Sequence, residues 1–356
     1  MTGGAPLSAR LLAGLRVVEC SMLGPGAVST PLADLGAEVI KVEPPSGDYI
    51  RQMSWPIVDG DSLLHLHISR GKRSIVLDLT TVEGRATFLD LVAVADAVVE
   101  AMRPGGLARR GLGYEKLREV NAKIVMLTIS GYGMTGPYRD LPSHGIAYDA
   151  WAGTVAPAPG PEGLPAIPDH TSIGITAGPL FGTTALLAGV LRARQTGAGC
   201  HLEVAQSDAA AAFDWLRIEG HRAYLRPESE VTGNPADGYE RRPPGTGGMA
   251  DAVRYQFYAS SDGYVLFMAS ERKFWRNFCA AIGRDDLFAG RPGERLAADQ
   301  LPFPVRVTGE APPAAGSRAP AVGEHGDAIL AEVLGYDAGR IAALRAAGAF
   351  GPCSPQ

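Results

Sequence analysis

Residues 173–191 carry no charged side chain, and an uncharged run of that length must be buried in lipid or in protein. It approaches the roughly 20 apolar residues of a membrane span. It also holds Gly174, Gly178, Pro179, Gly182 and Gly189, small residues that let a neighbouring backbone come close. The run therefore reads as a helix inside a globular core rather than a membrane span. A Pro/Gly-rich loop, residues 161–168, leads into Asp169. Arg192, Arg194 and Gly197 close the segment. Loop, acid, apolar run, basic last turn and glycine stop are the ordered signals of one helix.

Asp169 has two readings. As an N-cap it accepts N–H bonds from the first turn. Alternatively, the positive end of the helix dipole keeps an ionised carboxylate at the floor of a site, where it serves as a base or nucleophile.

The 356 residues have a formal net charge of −5, which gives no reason to expect nucleic-acid binding. The length allows two domains or one large one. Cys20, Cys200, Cys279 and Cys353 lie far apart without a CxxC pair. That argues against zinc and against a disulfide framework, and suits a reducing, cytoplasmic compartment. No signal-peptide core fits between Arg10 and Arg16. His65 and His67 are spaced as on one face of a strand and find no third ligand, so no metal is expected.

Residues 15–20 form a β-type run. Gly24-Pro25-Gly26 turns it into a helix over 27–35, and residues 39–42 form a second strand ending at Glu43. This βαβ unit invites a dinucleotide reading with Glu43 as the ribose acid. The fingerprint fails because Ser29 stands at the third glycine and Pro25 removes an N–H. Strands at 75–79, 97–100 and 124–129 alternate with helical patterns, which implies an α/β domain with a mostly parallel sheet. The loops after Ser21, Glu43, Glu100 and Ser130 then form the ligand rim. A further strand at 201–205 and a helix at 209–224 follow. Residues 226–248 read as a linker. Beyond them come a hairpin over 255–268, a helix over 272–282, a Pro-rich stretch at 302–320, and helices at 328–334 and 338–346.

Taken in order, LLAGLRVVECSMLGPGAV, LADLGAEVIKVEPPSGD, RGKRSIVLDL, VVEAMRPGGLARRGLGYEKL, TISGYGMTGPY, PDHTSIG and LRARQTGAGCHLEVAQSDA resemble the family III CoA-transferases, the formyl-CoA and carnitine CoA-transferase group. The resemblance implies a large Rossmann-like α/β domain, residues 1–225 completed by 303–356. A smaller α+β domain, residues 226–302, lies between, and two chains interlock as a homodimer. It places the nucleophile on Asp169 and CoA contacts on Met22, Leu23, Lys72 and Arg109. It also places a mobile glycine loop at Gly245, Gly247 and Gly248. CoA enters as a substrate, with no permanently bound cofactor. Many members have an Asn and an aromatic where this chain has Ala101 and Met102, and the small domain reads as truncated between Gly283 and Leu301.

The implied activity is CoA transfer from an acyl-CoA to a carboxylic acid through aspartyl intermediates. Racemisation of a 2-methylacyl-CoA, the chemistry of a sister branch, would instead use His144 as base opposite Asp169. A non-catalytic relative is the third reading.

Overall fold

A computed structural model of the chain describes residues 11–53, 55, 57–58, 60–142, 144–231, 254–285, 306–307, 328, 331–332 and 335–346. The expected glycine loop at Gly245, Gly247 and Gly248 lies outside the described residues, as do Cys353 and most of the Pro-rich stretch and of the helix expected at 328–334.

In chain order the strands are β1 (Arg16–Cys20), β2 (Glu38–Glu43), β3 (Ile57–Val58), β4 (Asp61–Ser62), β5 (Arg73–Val76), β6 (Ala97–Glu100), β7 (Val125–Ser130), β8 (Ala158–Pro159), β9 (Pro165–Ala166), β10 (Cys200–Ala205), β11 (Tyr255–Ser260), β12 (Gly263–Met268) and β13 (Arg306–Val307). The helices are α1 (Thr30–Asp34), α2 (Leu63–Ser69), α3 (Val82–Ala93), α4 (Tyr114–Val120), α5 (Ile146–Ala152), α6 (Gly174–Thr196), α7 (Gln206–Phe213), α8 (Trp215–Ala223), α9 (Arg272–Ala281) and α10 (Ala338–Ala346).

Seven strands form one sheet in the order β13-β10-β7-β6-β1-β2-β5. Every neighbouring pair is parallel except β10 with β13. The chain winds outward from β1 through β2 to β5, then returns to β6 and winds the other way. The reversal falls between β1 and β6, where an open α/β sheet leaves a crevice at its carboxyl edge.

Period-two alternation sorts the apolar side chains onto two faces. On one, Val17, Val39, Val99, Leu127 and Val204 pack under Ala185, Leu186 and Val190 of α6. On the other, Val18, Val98 and Met126 meet Phe88 and Val92 of α3 and Leu117 of α4. Helix α6 can lie close to the sheet because Gly189 presents no side chain there. A Cβ at that position would stand 2.9 Å from Val125 and 3.0 Å from Leu202. This helix is long and apolar enough to cross a membrane, and half of its apolar stretch is buried against protein.

Three local readings change. The helix expected over 27–35 is a 3₁₀ turn, Gly24–Val28, followed by the short α1. Pro31 has no N–H to return to Ala27 and sits in the first turn of α1, where no such bond is needed. His65 and His67 sit on α2 rather than on a strand. The helix expected over 209–224 is split at Asp214 into α7 and α8.

The chain divides into two compact units, Met1–Leu225 with Leu301–Ala315, and Arg226–Gln300 with Gly316–Gln356. The sequence reading assigned all of 303–356 to the large domain. In the second unit, the β11–β12 hairpin sets Phe267 against Phe278 of α9, with ring centroids 4.4 Å apart.

Two glycine substitutions separate soft from hard contacts. At Gly189 the neighbours are movable side-chain tips, and Ala regains about 1 kcal/mol of helix propensity. Gly189→Ala is therefore expected to change stability little. At Gly199 an added Cβ would overlap the Ile124 carbonyl, which is backbone immediately before β7. Gly199→Ala is expected to cost about 1–3 kcal/mol or more. Urea denaturation of both variants checks the contrast.

Candidate active site

Strand β1 ends in a charged knot. Glu19 is fully buried, with its Oε2 2.7 Å from Lys72 Nζ and its Oε1 3.2 Å from Lys41 Nζ. Ser21 Oγ donates to Oε1 at 3.0 Å, and Ser29 Oγ donates to Oε2. Lys41 also lies 2.8 Å from Asp48 Oδ2, an ion pair without hydrogen-bond alignment, and donates to the Ser21 carbonyl at 2.8 Å. Burial alone would raise the Glu19 pKa. Lys72 and Lys41 outweigh it and hold the carboxyl below its ordinary range. Burial pulls Lys72 below the usual lysine value against the attraction of Glu19.

The knot shapes the turn above it. Lys72 Nζ donates to the Gly26 carbonyl at 2.7 Å. Just before that turn, Leu23 takes φ 58° and ψ −149°, a conformation that costs a non-glycine residue of order 1–3 kcal/mol.

Met22 and Leu23 open onto a cavity of about 1160 Å³ at the carboxyl edge of the sheet. Its wall runs through Glu43 after β2, Ala101 to Pro104 and Arg109 after β6, Ser130 and Gly131 after β7, Arg139 to Pro142, His144, Tyr148, and Ile175 and Thr176 on α6. All four loops expected at the rim contribute.

Of the expected site residues, Met22, Leu23, Arg109 and His144 line this cavity. Arg109 is exposed, and one of its five donors is used on the Pro104 carbonyl at 2.8 Å. Lys72 is not part of the wall. Its side chain is 2% exposed, and a bond to a ligand phosphate would require it to leave Glu19. Glu43, the expected ribose acid of the rejected dinucleotide reading, is also engaged. Arg51 donates to Oε1 at 2.8 Å and Ser74 at 2.6 Å. Burial opposes ionisation of Glu43, but Arg51, Ser74 and the Asp48 N–H bring its pKa down to about 2.

The cap expected at Asp169 belongs to Asp149. This carboxylate is fully buried. Its Oδ1 accepts the Gly174 N–H at 2.7 Å, and its Oδ2 accepts the Ile173 N–H at 2.9 Å. Asp169 precedes the first residue of α6 by five positions, too far for the local N2 or N3 bonds of a cap. It is exposed and is not one of the cavity-lining residues. The loop carrying it is tied down next door, where His170 Nε2 lies 3.0 Å from Asp149 Oδ2.

Another buried acid, Glu100, closes β6. Burial pushes its pKa up to about 7, while Thr128 and the Met102 N–H pull the other way. None of Glu19, Lys41, Asp149 or Glu100 carries a role in the sequence reading. For Glu19 and Glu100 the available signal was a charge at the end of an otherwise apolar run, and for Lys41 and Asp149 there was none.

Fold and cavity together define an α/β protein whose ligand site opens at the switch point of a parallel sheet. Residues 12–325 match the model of CoA-transferase family III, and the chain belongs to that family. It is 37% identical over 196 residues to the beta subunit of succinyl-CoA–L-malate CoA-transferase from Chloroflexus aurantiacus, covering 54% of this chain and 48% of that protein. It is 33% identical over 281 residues to succinate–glutarate CoA-transferase from Agrobacterium fabrum, covering 76% of this chain and 66% of that one. The chain thus spans about half to two thirds of these relatives' lengths. Among solved structures, Rv3272 from Mycobacterium tuberculosis, crystallised as an aspartate-to-alanine variant, superposes with a TM-score of 0.62 at 30% identity, covering 79% of this chain and 69% of that one.

Three substitutions test the electrostatics. Lys72→Met leaves Glu19 short of a partner and is expected to cost about 3–5 kcal/mol by denaturant unfolding. Asp149→Asn replaces an acceptor oxygen by a donor facing an N–H, and is expected to cost about 1–3 kcal/mol. The third concerns Glu100. Its folded pKa of about 7 exceeds the unfolded 4.5, so the folded state holds the extra proton between them. Its contribution is fully present below about pH 4.5 and is lost as pH rises through about 7. Thermal melts across that window should fall less steeply for Glu100→Gln than for wild type.

Proposed function

We propose that this chain exchanges CoA between an acyl-CoA and a carboxylic acid, with Asp169 as the nucleophile. Family membership carries this reading. The cavity volume supports it, being at the upper end of ligand sites, and the arginine-bearing rim suits a ligand with phosphates. The Asp169 carboxylate attacks the thioester carbonyl, the C–S bond breaks, and CoA thiolate leaves an acyl-aspartyl anhydride. The thiolate attacks the aspartyl carbonyl, releasing the donor acid and forming an aspartyl-CoA thioester. The acceptor carboxylate displaces thiolate to give a second anhydride. Thiolate attack on its acyl carbonyl completes the exchange and restores Asp169. Each step conserves an activated carbonyl. Met22, Leu23 and Arg109 are proposed to contact CoA. His144, on the cavity wall, is proposed to face the acyl part rather than act as a racemase base.

The relatives' names select the first assay, succinyl-CoA with malate or glutarate as acceptor. Asp169→Asn is expected to fold with a stability change within about 0.5 kcal/mol, to bind CoA, and to lose exchange. Hydroxylamine added to wild type with acyl-CoA should modify the Asp169 peptide. Wild-type exchange by the Asn variant would remove Asp169 from the mechanism.

We also propose that two chains assemble. Leu191 of α6, Phe213 of α7 and Trp215 and Leu216 of α8 are each more than half exposed, apolar side chains that a second copy would cover. Light scattering at micromolar concentration is expected to give twice the chain mass, and a monomer there would end the idea.

A further inference from the structure

At the carboxyl edge of the sheet, one register row crosses four strands. Cys20 on β1 is paired with Glu100 on β6, Glu100 with Thr128 on β7, and Thr128 with Glu203 on β10. Paired residues of parallel strands point to the same face, so this row puts polar groups on top of an apolar interior. Thr128 Oγ donates to Glu100 Oε1 at 2.8 Å, and lies 2.9 Å from His201 Nε2. The His201 ring stacks on Tyr114 of α4, centroids 5.5 Å apart. The other carboxylate oxygen, Oε2, accepts the Met102 N–H at 2.9 Å.

That last bond ties down a loop that is otherwise bonded mostly to itself. Gly106 N–H donates to the Arg103 carbonyl, Arg109 Nη1 to that of Pro104, and Arg110 Nη1 to that of Gly106. Met102, Arg103, Pro104 and Arg109 form part of the cavity wall. The geometry points to a role for Glu100 that no chemical step requires. We propose that Glu100 is a positioning residue whose carboxylate clamps the loop of residues 101–110 to the sheet, and that gain or loss of its proton loosens or tightens the clamp.

The two protonation states make different bonds. An ionised Glu100 accepts from both Met102 and Thr128, and the His201 Nε2–H donates to Thr128 Oγ. A protonated Glu100 donates its own hydrogen to Thr128 Oγ, the Thr128 hydroxyl turns to His201 Nε2, and His201 carries its proton on Nδ1. The Met102 N–H bond then loses its charge assistance, which roughly halves its strength. The groups facing Glu100 do not mask this. Burial holds His201 down at about 4, so it stays neutral above pH 6. Burial raises the Cys20 thiol, and Glu100 raises it further. Burial also raises the Tyr114 phenol. Glu203 lies one strand beyond Thr128 and accepts the Met134 N–H. Glu100, at about 7, is the group that changes charge near neutrality.

Amide hydrogen exchange of residues 101–110, corrected for the intrinsic pH dependence, reads the clamp directly. Wild-type protection is expected to rise about fivefold from pH 6 to pH 8, the gain of a charge-assisted over a neutral bond. Glu100→Gln should abolish the inflection, because its amide oxygen still accepts from Met102 but never ionises. Thr128→Val, which removes a donor to the carboxylate, should move the inflection to higher pH rather than remove it. An inflection retained in Glu100→Gln, or unmoved in Thr128→Val, would overturn the proposal. The inference rests on the proposed function only for its consequence, that CoA affinity follows the same inflection in wild type and not in Glu100→Gln. A wild type that binds no CoA at any pH would defeat the functional reading and leave the exchange result to decide the clamp.

Discussion

Glu19 sits with no exposure to solvent between two lysines that are themselves buried, and the first crossover of the sheet is built around it. A carboxylate in that position is tolerated only while it is neutralised and its lone pairs are used. Both conditions are met by residues far apart in the chain, Lys41 from β2, Lys72 from the loop before β5, and Ser29 from the turn after β1. The knot therefore fixes how the first βα turn, the second strand and the edge strand meet. Their meeting point is one wall of the cavity, with the strained Leu23 on its lip. Removing one lysine would leave an uncompensated charge beneath the site, so binding and folding should fail together at this end of the sheet.

The same placement of charge recurs along the carboxyl edge. Glu43 closes β2 and Glu100 closes β6, while Glu203 occupies the matching row of β10, all of them buried. The deeper rows are mostly apolar, Val98, Val99, Leu127 and Leu202 among them, and the Glu19–Lys41 pair is the charged exception. The apolar rows hold the layers together, and the last row binds loop N–H groups, Asp48 by Glu43, Met102 by Glu100 and Met134 by Glu203. The loops at a switch point are where ligands bind, so buried carboxylates at the strand ends give rigid attachment to segments that would otherwise drift.

Much of this fold could be read from residue order. Strand–helix alternation located the parallel sheet and its rim loops, and the chargeless run located α6 to within a few residues. Local pattern failed where the chain depends on distant partners. Nothing within a few residues of Lys72 reveals that its charge is consumed by Glu19, 53 positions away, so an arginine-like phosphate role looked equally good. Asp169 occupied the place of a cap by proximity, but the helix is capped from α5, by a residue 25 positions before Gly174. Proline chemistry alone places Pro31 in the first turn of a helix rather than in its interior. Glu100 gave a weak signal, an acid after the apolar run Ala97-Val98-Val99, that acquires meaning only when β1, β7 and β10 are set beside it.

The exchange of roles between Asp149 and Asp169 bears on the proposed mechanism. A carboxylate that caps a helix accepts N–H bonds on the same lone pairs a nucleophile needs. Asp149 is in that condition, with Ile173, Gly174 and His170 around it and no exposed surface. It is suited to holding the loop and unsuited to attacking a thioester. Asp169 sits one residue from the His170 anchor, exposed and ahead of the helix. Its backbone is restrained by the anchor while its oxygens are not enlisted in the cap. On the proposed mechanism, dividing the two tasks between these aspartates keeps the capping bonds off the acid that would attack. This predicts a specific pattern of damage, in which loss of Asp149 weakens folding and activity in parallel, whereas loss of Asp169 removes activity from a protein that still folds.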